Sequence, residues 1–283
     1  ISACLVGSEM CIRDRDLKPS DFKALMRTPK ALLTGMVSQF LVLPAMTFAM
    51  LLVTNPQPSI ALGLILVASC PGGNISNFIT HRAGGNTALS VSMTGIATVA
   101  AIVMTPFNIA FWGNLYEPTR AILRQTTLDP VSIAITVFFM LILPLTLGIL
   151  TNVRRPEFAA RIRKTMQRLS MAIFVGFIVV ALAANWGFLQ SLAVTVAGLV
   201  VLHNALALSS GYLSASVMKL SPYDRRAITI ETGIQNSGLG LVLIFAFFGG
   251  LGGMAVAAAL WGIWHAISGL ALATLWSRRE AQR

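Results

Sequence analysis

Charged residues are scarce in this chain of 283 residues, since Asp, Glu, Lys and Arg make up only 11% of it. Soluble globular domains have about 25%. Two stretches, 169–218 and 232–277, contain none of these residues. One helical membrane crossing takes roughly 20 apolar residues, so each stretch is long enough for two crossings. The scarcity excludes soluble enzymes, disordered chains and nucleic-acid binders, despite the net charge of +11. It predicts an all-α polytopic membrane protein.

Cysteine is also scarce, with three residues and no C-x-x-C pair. This excludes a disulfide framework and a cysteine-based zinc site. Residues 1–15 lack the apolar core and cleavage site of a secretory signal. Their sequence, ISACLVGSEMCIRDR, resembles translated adapter sequence. We therefore interpret residues 1–15 as a non-native segment and residues 16–283 as the native part of the chain.

Apolar runs and the helix breakers between them predict eight membrane crossings. The predicted segments are 30–53, 59–82, 87–113, 130–153, 169–186, 191–218, 222–248 and 254–276. Residues 115–128 are predicted to lie along the membrane surface, and residues 154–168 are predicted to form a basic loop. Seventeen Lys and Arg residues fall on the side of the C-terminus, and two fall on the other side. Because cytoplasmic loops carry the excess of Lys and Arg, we expect a cytoplasmic C-terminus and insertion in the inner (plasma) membrane.

Two of the predicted crossings carry helix breakers and polar side chains in their middle. The second crossing contains SCPGGNISN at 69–77, and the seventh contains ETGIQNSG at 231–238. Lipid-facing helices do not tolerate such runs, which predict unwound backbone lining a cavity. Paired broken helices are typical of secondary transporters with inverted repeats. These two crossings run in opposite directions, and the repeat then requires two further helices before Asp16. The chain would hold eight helices of ten.

Glu231 is the one acid outside residues 1–15 that falls in the middle of a predicted crossing. A charged side chain at the bilayer centre costs about 2.5–3.5 kcal/mol on insertion scales, and such residues usually mark an ion path. Gln235 follows one turn later and Asn236 is its neighbour, so the segment offers oxygen ligands suited to Na⁺. The alternative is a protonated glutamate that holds helices together.

A second set of polar residues offers further oxygen ligands: Ser76, Asn77, Ser90 and Thr94. Ser90 and Thr94 are four residues apart and share one helix face. Serine and threonine also pack membrane helices together without binding a ligand. The same two interpretations apply to Gln39, an isolated amide in the first crossing.

At these residues the chain resembles the bile acid:sodium symporter family. The resemblance covers residues 17–276 and rests on CPGGxxSN at 70–77, GNxALSVxxT at 85–94, ExGxQNSG at 231–238 and WHxISG at 264–269. It implies a five-plus-five inverted repeat in which the two broken helices cross. It also implies a core domain, mainly 59–113 and 191–277, and a panel domain, mainly 30–53 and 130–186.

The resemblance implies two sodium sites and one site for an organic anion. The first sodium site would be lined by Ser76, Asn77, Ser90, Thr94 and Glu231. The second would use Gln39, Glu231, Gln235 and the backbone carbonyls of Thr232 and Ile234. The anion, bile-acid-like or a small carboxylate, would lie near Asn74, Asn236 and His265. Na⁺ is the coupling ion, and no cofactor is implied.

The leading hypothesis is a Na⁺-coupled importer of an organic anion that works by alternating access in the lipid bilayer. It is no enzyme and binds no nucleic acid. The alternative is a proton-driven or uncoupled exporter of an organic acid or metalloid, with Cys70 as a soft ligand. An intramembrane hydrolase would use His265 with Ser237 or Ser268, but the sequence has no nucleophile motif. A channel is a further alternative, although two broken helices with one shared carboxylate favour occlusion over an open pore.

Overall fold

The structure of the chain, a computed structural model, describes residues 29–126 and 129–281. Its helices are α1 (Lys30–Thr54), α2 (Pro58–Ser69), α3 (Ile75–Arg82), α4 (Thr87–Leu115), α5 (Glu117–Gln125), α6 (Pro130–Arg154), α7 (Pro156–Ala184), α8 (Trp186–Val217), α9 (Pro222–Gly233), α10 (Ser237–Phe247) and α11 (Gly252–Ala281). Within the described residues, α1, α4, α6, α7, α8 and α11 are long and apolar enough to cross a membrane. The predicted all-α polytopic architecture is confirmed. The interpretation of residues 1–15 and the prediction of two earlier helices lie outside the described residues.

The two crossings that were predicted to be broken are each divided into two helices. Residues 70–74 separate α2 from α3, and residues 234–236 separate α9 from α10. Pro71 has no N–H with which to continue the hydrogen bonds of α2. Asn236 caps α10, because its side chain accepts a hydrogen bond from the N–H of Leu239 (3.0 Å). Counted with each divided pair as one crossing, the described residues contain the eight predicted segments. The inverted repeat itself stays a prediction.

Helix α1 contains one widened turn, a π-helical stretch at Ser38–Val42. Pro44 follows it, and a proline cannot donate to the carbonyl four residues earlier and pushes that carbonyl aside. The carbonyl concerned belongs to Phe40, which instead accepts a hydrogen bond from Asn108 Nδ2 of α4 (3.0 Å). Single π-turns occur often at functional sites. This one carries Gln39.

The predicted basic loop at 154–168 is wrong in its secondary structure. Helix α6 ends at Arg154, and α7 begins at Pro156 and continues to Ala184. Proline is well suited to the first position of a helix, and the alanine, arginine and lysine that follow are strong helix formers. Glu157, Arg161, Lys164 and Arg168 are exposed, so the helix does not need to end where the apolar stretch ends. The change in hydropathy at Leu169 therefore marks no helix boundary.

The predicted surface stretch contains the short helix α5, on which Leu123 is buried. Helix α6 then begins after Asp129. The carboxylate of Asp129 accepts hydrogen bonds from the Ser132 hydroxyl (2.8 Å) and from the N–H groups of Val131 and Ser132. These bonds, that of the hydroxyl first, hold the pKa of Asp129 below its usual value. Asp129 thus acts as an ionised N-cap.

The packing of α1 bears on the predicted division into domains. Helix α1 contacts α2, α4, α8 and α9. The resemblance placed α1 with α6 and α7 in the panel domain, whereas these contacts join it to helices of the predicted core domain. The division into two domains stays a prediction.

Candidate functional site

The breaks of the two interrupted helices lie against each other. The N–H of Gly73 donates to the carbonyl of Ile234 (2.7 Å), and the N–H of Asn236 donates to the carbonyl of Pro71 (2.9 Å). The two segments pair in an antiparallel sense. Backbone groups at membrane depth must be satisfied within the protein. Each break therefore satisfies backbone groups of the other.

Glu231 lies two residues before the end of α9 and is fully buried. Its carboxylate accepts hydrogen bonds from the hydroxyls of Ser76 (2.5 Å), Ser90 (2.9 Å) and Thr94 (2.6 Å). Ser76 comes from the first turn of α3, and the other two come from one face of α4, as their spacing predicted. Glu231 therefore joins three helices at the crossing.

Asn77 adds a side-chain carbonyl to this group. The Ser90 hydroxyl lies 2.8 Å from Asn77 Oδ1 as well as 2.9 Å from Glu231 Oε2. The Thr94 hydroxyl lies 3.2 Å from Asn77 Oδ1 and 2.6 Å from Glu231 Oε1. Each hydroxyl has a single hydrogen to donate, so the group holds more oxygen acceptors than hydrogens. Such a set of oxygens is suited to a hard cation.

Two glutamine side chains lie beside this group. Gln39 is fully buried, and neither its Nε2 nor its Oε1 has a partner among the described residues. Gln235 donates through Nε2 to the Thr232 carbonyl (2.8 Å), but its Oε1 is likewise unpaired in the described part of the chain. A Cβ at Gly72 would lie 2.5 Å from Glu231 Oε1 and 3.4 Å from Gln39 Nε2. The side chains of Gln39 and Glu231 thus approach each other at Gly72.

The two predicted backbone ligands are already hydrogen bonded. The Thr232 carbonyl accepts from Gln235 Nε2, and the Ile234 carbonyl accepts from the N–H of Gly73. A carbonyl oxygen has two lone pairs, so each can still coordinate an ion.

The three residues predicted for the anion lie around the same crossing. Asn74 and Asn236 directly precede α3 and α10. His265 of α11 is 5% exposed. On the same helix, a Cβ at Gly262 would lie 2.7 Å from Ser237 Oγ, and a Cβ at Gly269 would lie 2.7 Å from Ile234 Cδ1. Because positions three and four apart share a helix face, His265 faces the break between α9 and α10.

The buried histidine of α8, His203, has two hydrogen-bond partners. Trp261 Nε1 donates to His203 Nδ1 (2.9 Å), and His203 Nε2 lies 2.8 Å from the Thr47 hydroxyl. An indole N–H can only donate, so the imidazole hydrogen is on Nε2 and is donated to Thr47. The Thr47 hydroxyl donates in turn to the carbonyl of Leu43 (2.8 Å). These complete pairings favour a structural role for His203, joining α1, α8 and α11.

Thr47→Val is expected to lower the free energy of unfolding by about 1–2 kcal/mol, because it leaves the His203 N–H buried and unpaired. The thermal unfolding midpoint of the purified protein in detergent measures this effect. Thr146→Val is the matched control, since the Thr146 hydroxyl is exposed and bonds the Ile142 carbonyl of its own helix. Equal midpoints for the two variants would contradict the role assigned to His203.

Two residues of the alternative functions, Ser268 and Cys70, lie in surroundings that do not suit the roles considered for them. The Ser268 hydroxyl lies 2.6 Å from Asn204 Oδ1 and 3.1 Å from the backbone carbonyl of His265. It is thus engaged by acceptors other than the imidazole. Cys70 is fully buried within an apolar cluster.

Three polar side chains that the sequence did not single out bond carbonyl groups where a helix ends or widens: Thr105 to Ser69, Asn108 to Phe40 and Asn204 to Gly233. Their one signal in the sequence is a polar residue within an apolar stretch. Which carbonyl each one meets depends on how distant helices pack, so the sequence could not assign their partners.

Comparison with known proteins identifies the family. The model of the Sodium Bile acid symporter family matches residues 10–192. The "uncharacterized sodium-dependent transporter YocS" of Bacillus subtilis is 33% identical over 270 residues, which is 94% of this chain and 80% of YocS. The "probable sodium/metabolite cotransporter BASS1, chloroplastic" of Arabidopsis thaliana is 32% identical over 262 residues, 91% of this chain and 62% of that protein. The chain therefore spans less than two thirds of this plant relative.

A mouse relative, named "sodium-dependent organic anion transporter", is 27% identical over 290 residues and aligns with 100% of this chain and 75% of its own length. The family is named as a symporter family, and these relatives are named as transporters or cotransporters. With the six helices among the described residues that are long enough to cross a membrane, this confirms a multi-pass membrane protein of a transporter family and not an enzyme. The membrane in which it lies and the side of its C-terminus stay predictions. By the family match and the identity to YocS, the chain belongs to the sodium bile acid symporter family.

Proposed function

We propose that the chain is a Na⁺-coupled symporter that imports an organic anion by alternating access. The observation that carries the proposal is the buried carboxylate of Glu231, which is surrounded by side-chain oxygens where two broken helices meet. A carboxylate inside a membrane needs a compensating charge, and a bound cation supplies it. The names of the family and of the relatives support Na⁺ as that cation.

Two sodium sites that share Glu231 account for the polar groups at the crossing. The ligands of the first would be Ser76, Asn77, Ser90, Thr94 and Glu231. The ligands of the second would be Gln39, Glu231, Gln235 and the carbonyls of Thr232 and Ile234. The unpaired amide oxygens of Gln39 and Gln235 support the second site, because buried polar groups without partners often signal a missing ion. Na⁺ bound at both sites would hold α1, α3, α4 and α9 in one arrangement.

The organic anion would bind beside the same crossing, near Asn74, Asn236 and His265. Helices α3 and α10 begin there, and a helix N-terminus carries partial positive charge that suits a carboxylate or sulfonate. Asn236 and Gln235 are neighbours in the chain. Na⁺ that orders the segment around Gln235 would therefore also fix Asn236 for the anion, which couples the two binding events.

Uptake into proteoliposomes tests this proposal. We expect an inward Na⁺ gradient to drive accumulation of a bile-acid conjugate, pantoate or a keto acid, and we expect K⁺ in place of Na⁺ to stop it. Thermal unfolding in NaCl and in KCl measures Na⁺ binding in the absence of the organic anion. Uptake that does not depend on the Na⁺ gradient and follows a pH gradient would instead favour the proton-driven exporter.

Thr94→Val is expected to raise the half-saturating Na⁺ concentration roughly 10- to 100-fold, because a hydrogen-bonding group next to a charge is lost while the side-chain shape is kept. Na⁺ titrations followed by thermal unfolding measure the change. In Thr98→Val, one turn further along α4, the lost hydroxyl bonds only a carbonyl of its own helix in the described structure. Similar Na⁺ titrations for both variants would exclude Thr94 as a ligand.

A further inference from the structure

We propose that Asn204 of α8 is a positioning residue for the candidate sodium site. Its side-chain amide holds the carbonyl of Gly233, and thereby the unwound segment that carries the candidate ligands. The inference rests on the proposed function, in which Na⁺ binds at Glu231. Asn204 would not contact the ion and would act through the backbone of α9.

The orientation of the Asn204 amide follows from its two partners. Its Nδ2 donates to the carbonyl of Gly233 (2.8 Å), and its Oδ1 lies 2.6 Å from the hydroxyl of Ser268. A turned amide would place two acceptor oxygens, Oδ1 and the Gly233 carbonyl, against each other. Asn204 is 1% exposed, so water does not compete for these bonds. The amide is therefore held in one orientation.

The Gly233 carbonyl lies in the middle of the segment that the sodium site needs. The preceding carbonyl, that of Thr232, accepts a hydrogen bond from Gln235 of the same break. The following carbonyl, that of Ile234, accepts one from Gly73 of the opposite break. Those partners belong to the two interrupted helices themselves. Asn204 instead belongs to the continuous helix α8, so it ties the segment to a part of the fold that is not unwound.

Packing between α8 and α9 adds to this attachment. Leu208 lies four residues after Asn204 and shares its helix face. A Cβ at Gly233 would lie 2.2 Å from Leu208 Cδ2 and 3.4 Å from Leu208 Cα, so the backbone of α9 approaches α8 closely at this glycine. This close approach sets the distance that the Asn204 hydrogen bond spans.

The same part of α8 also holds α11. His203 bonds Trp261, and Asn204 bonds Ser268. The candidate anion residue His265 lies between these two positions of α11. Asn204 thus connects the break of α9 to the stretch of α11 that faces it.

Loss of this hydrogen bond is expected to weaken Na⁺ binding. Without this bond, a smaller fraction of the protein has the segment in the arrangement that binds Na⁺. The apparent dissociation constant for Na⁺ rises as that fraction falls. From the strength of single hydrogen bonds between membrane helices, we expect the half-saturating Na⁺ concentration to rise roughly 3- to 20-fold in Asn204→Ala. A merely structural asparagine would lower the unfolding midpoint in KCl and leave the half-saturating Na⁺ concentration unchanged.

The test is a Na⁺ titration of the full purified chain, with NaCl replacing KCl at constant ionic strength and thermal unfolding as the readout. Asn204→Ala is compared with Ser268→Ala, which keeps the bond from Asn204 to Gly233 but frees the amide to turn. We expect Ser268→Ala to raise the half-saturating Na⁺ concentration about 3-fold. Ser210→Ala is the matched control, because that buried hydroxyl of α8 bonds Ala207 of the same helix. We expect no change in its titration.

The outcomes separate this inference from the proposed function. A wild-type protein that does not respond to Na⁺ overturns the proposed function, and this inference with it. A wild-type protein that responds, with an unchanged half-saturating concentration in Asn204→Ala, overturns this inference alone. If Asn204→Ala does not fold, an unchanged titration of Ser268→Ala overturns it in the same way.

Discussion

Glu231→Gln is expected to abolish the rise in unfolding temperature that Na⁺ produces, together with Na⁺-driven uptake. Glutamine keeps the size of the side chain but removes the charge at the crossing of the two broken helices. Removal of one partner from a buried charge pair costs about 3–5 kcal/mol, which corresponds to a loss of Na⁺ affinity of roughly 100-fold or more. Na⁺ titrations by thermal unfolding measure the affinity, and proteoliposome uptake measures the coupling.

The same variant separates a cation ligand from a glutamate that only holds helices together. If Glu231 is a ligand, Glu231→Gln in KCl is expected to be at least as stable as the wild type, since an uncompensated buried charge is gone. A protonated Glu231 that only bridges helices would be replaced by glutamine with little effect on any Na⁺ response. Glu157→Gln provides the control, because Glu157 is an exposed acid in the first turn of α7. A Na⁺ response retained in Glu231→Gln would refute the assignment of the ligand.

Gly72→Ala is expected to disrupt the site through one added methyl group. That Cβ would lie 2.5 Å from Glu231 Oε1 and 3.4 Å from Gln39 Nε2, and the carboxylate would have to leave its hydroxyl partners. Overpacking of this kind costs about 1–3 kcal/mol of stability. We expect a lower unfolding midpoint in KCl and, because Glu231 is displaced, the loss of the Na⁺-induced shift as well.

Gly95→Ala is the matched control for Gly72→Ala. Gly95 lies on α4, one residue after Thr94, and a Cβ there meets nothing within 4 Å in the described structure. Alanine in place of glycine within a helix is favoured by about 0.5–1 kcal/mol, so this variant is expected to be unchanged or slightly stabilised, with a normal Na⁺ titration. Equal damage from both substitutions would mean that Gly72 has no special contact with the site.

The membrane helices could be predicted from the sequence because apolar stretches and helix breakers are local properties of the chain. The breaks at 70–74 and 234–236 were visible for the same reason. Pro71 removes a helical N–H at the first break, and both segments combine glycine, a poor helix former, with polar side chains inside an apolar stretch. Prediction did not succeed for residues 154–168, where hydropathy indicated a loop and the structure has α7. Hydropathy reports the boundary of the membrane, whereas helix propensity and proline placement decide where a helix begins.

The residues proposed for the site could be named from the sequence, but the distances between them could not. Glu231 stood out because an acid is unfavourable within an apolar stretch, and the family resemblance grouped it with Ser76, Ser90 and Thr94. The hydrogen bond from Ser76 to Glu231 joins residues 155 positions apart in the chain. No local pattern encodes such a distance, because it results from the packing of α3 and α4 against α9.

Sequence alone thus predicts a polytopic helical protein with two interrupted helices and, outside residues 1–15, one acid at membrane depth. Each of these features follows from the local sequence and from what the lipid environment tolerates. The contacts between helices establish what surrounds that acid. They bring hydroxyl groups to Glu231, leave no room for a side chain at Gly72 and attach Gly233 to Asn204. These contacts follow from the packing of helices that are far apart in the chain, where each buried polar group must find a partner within the protein.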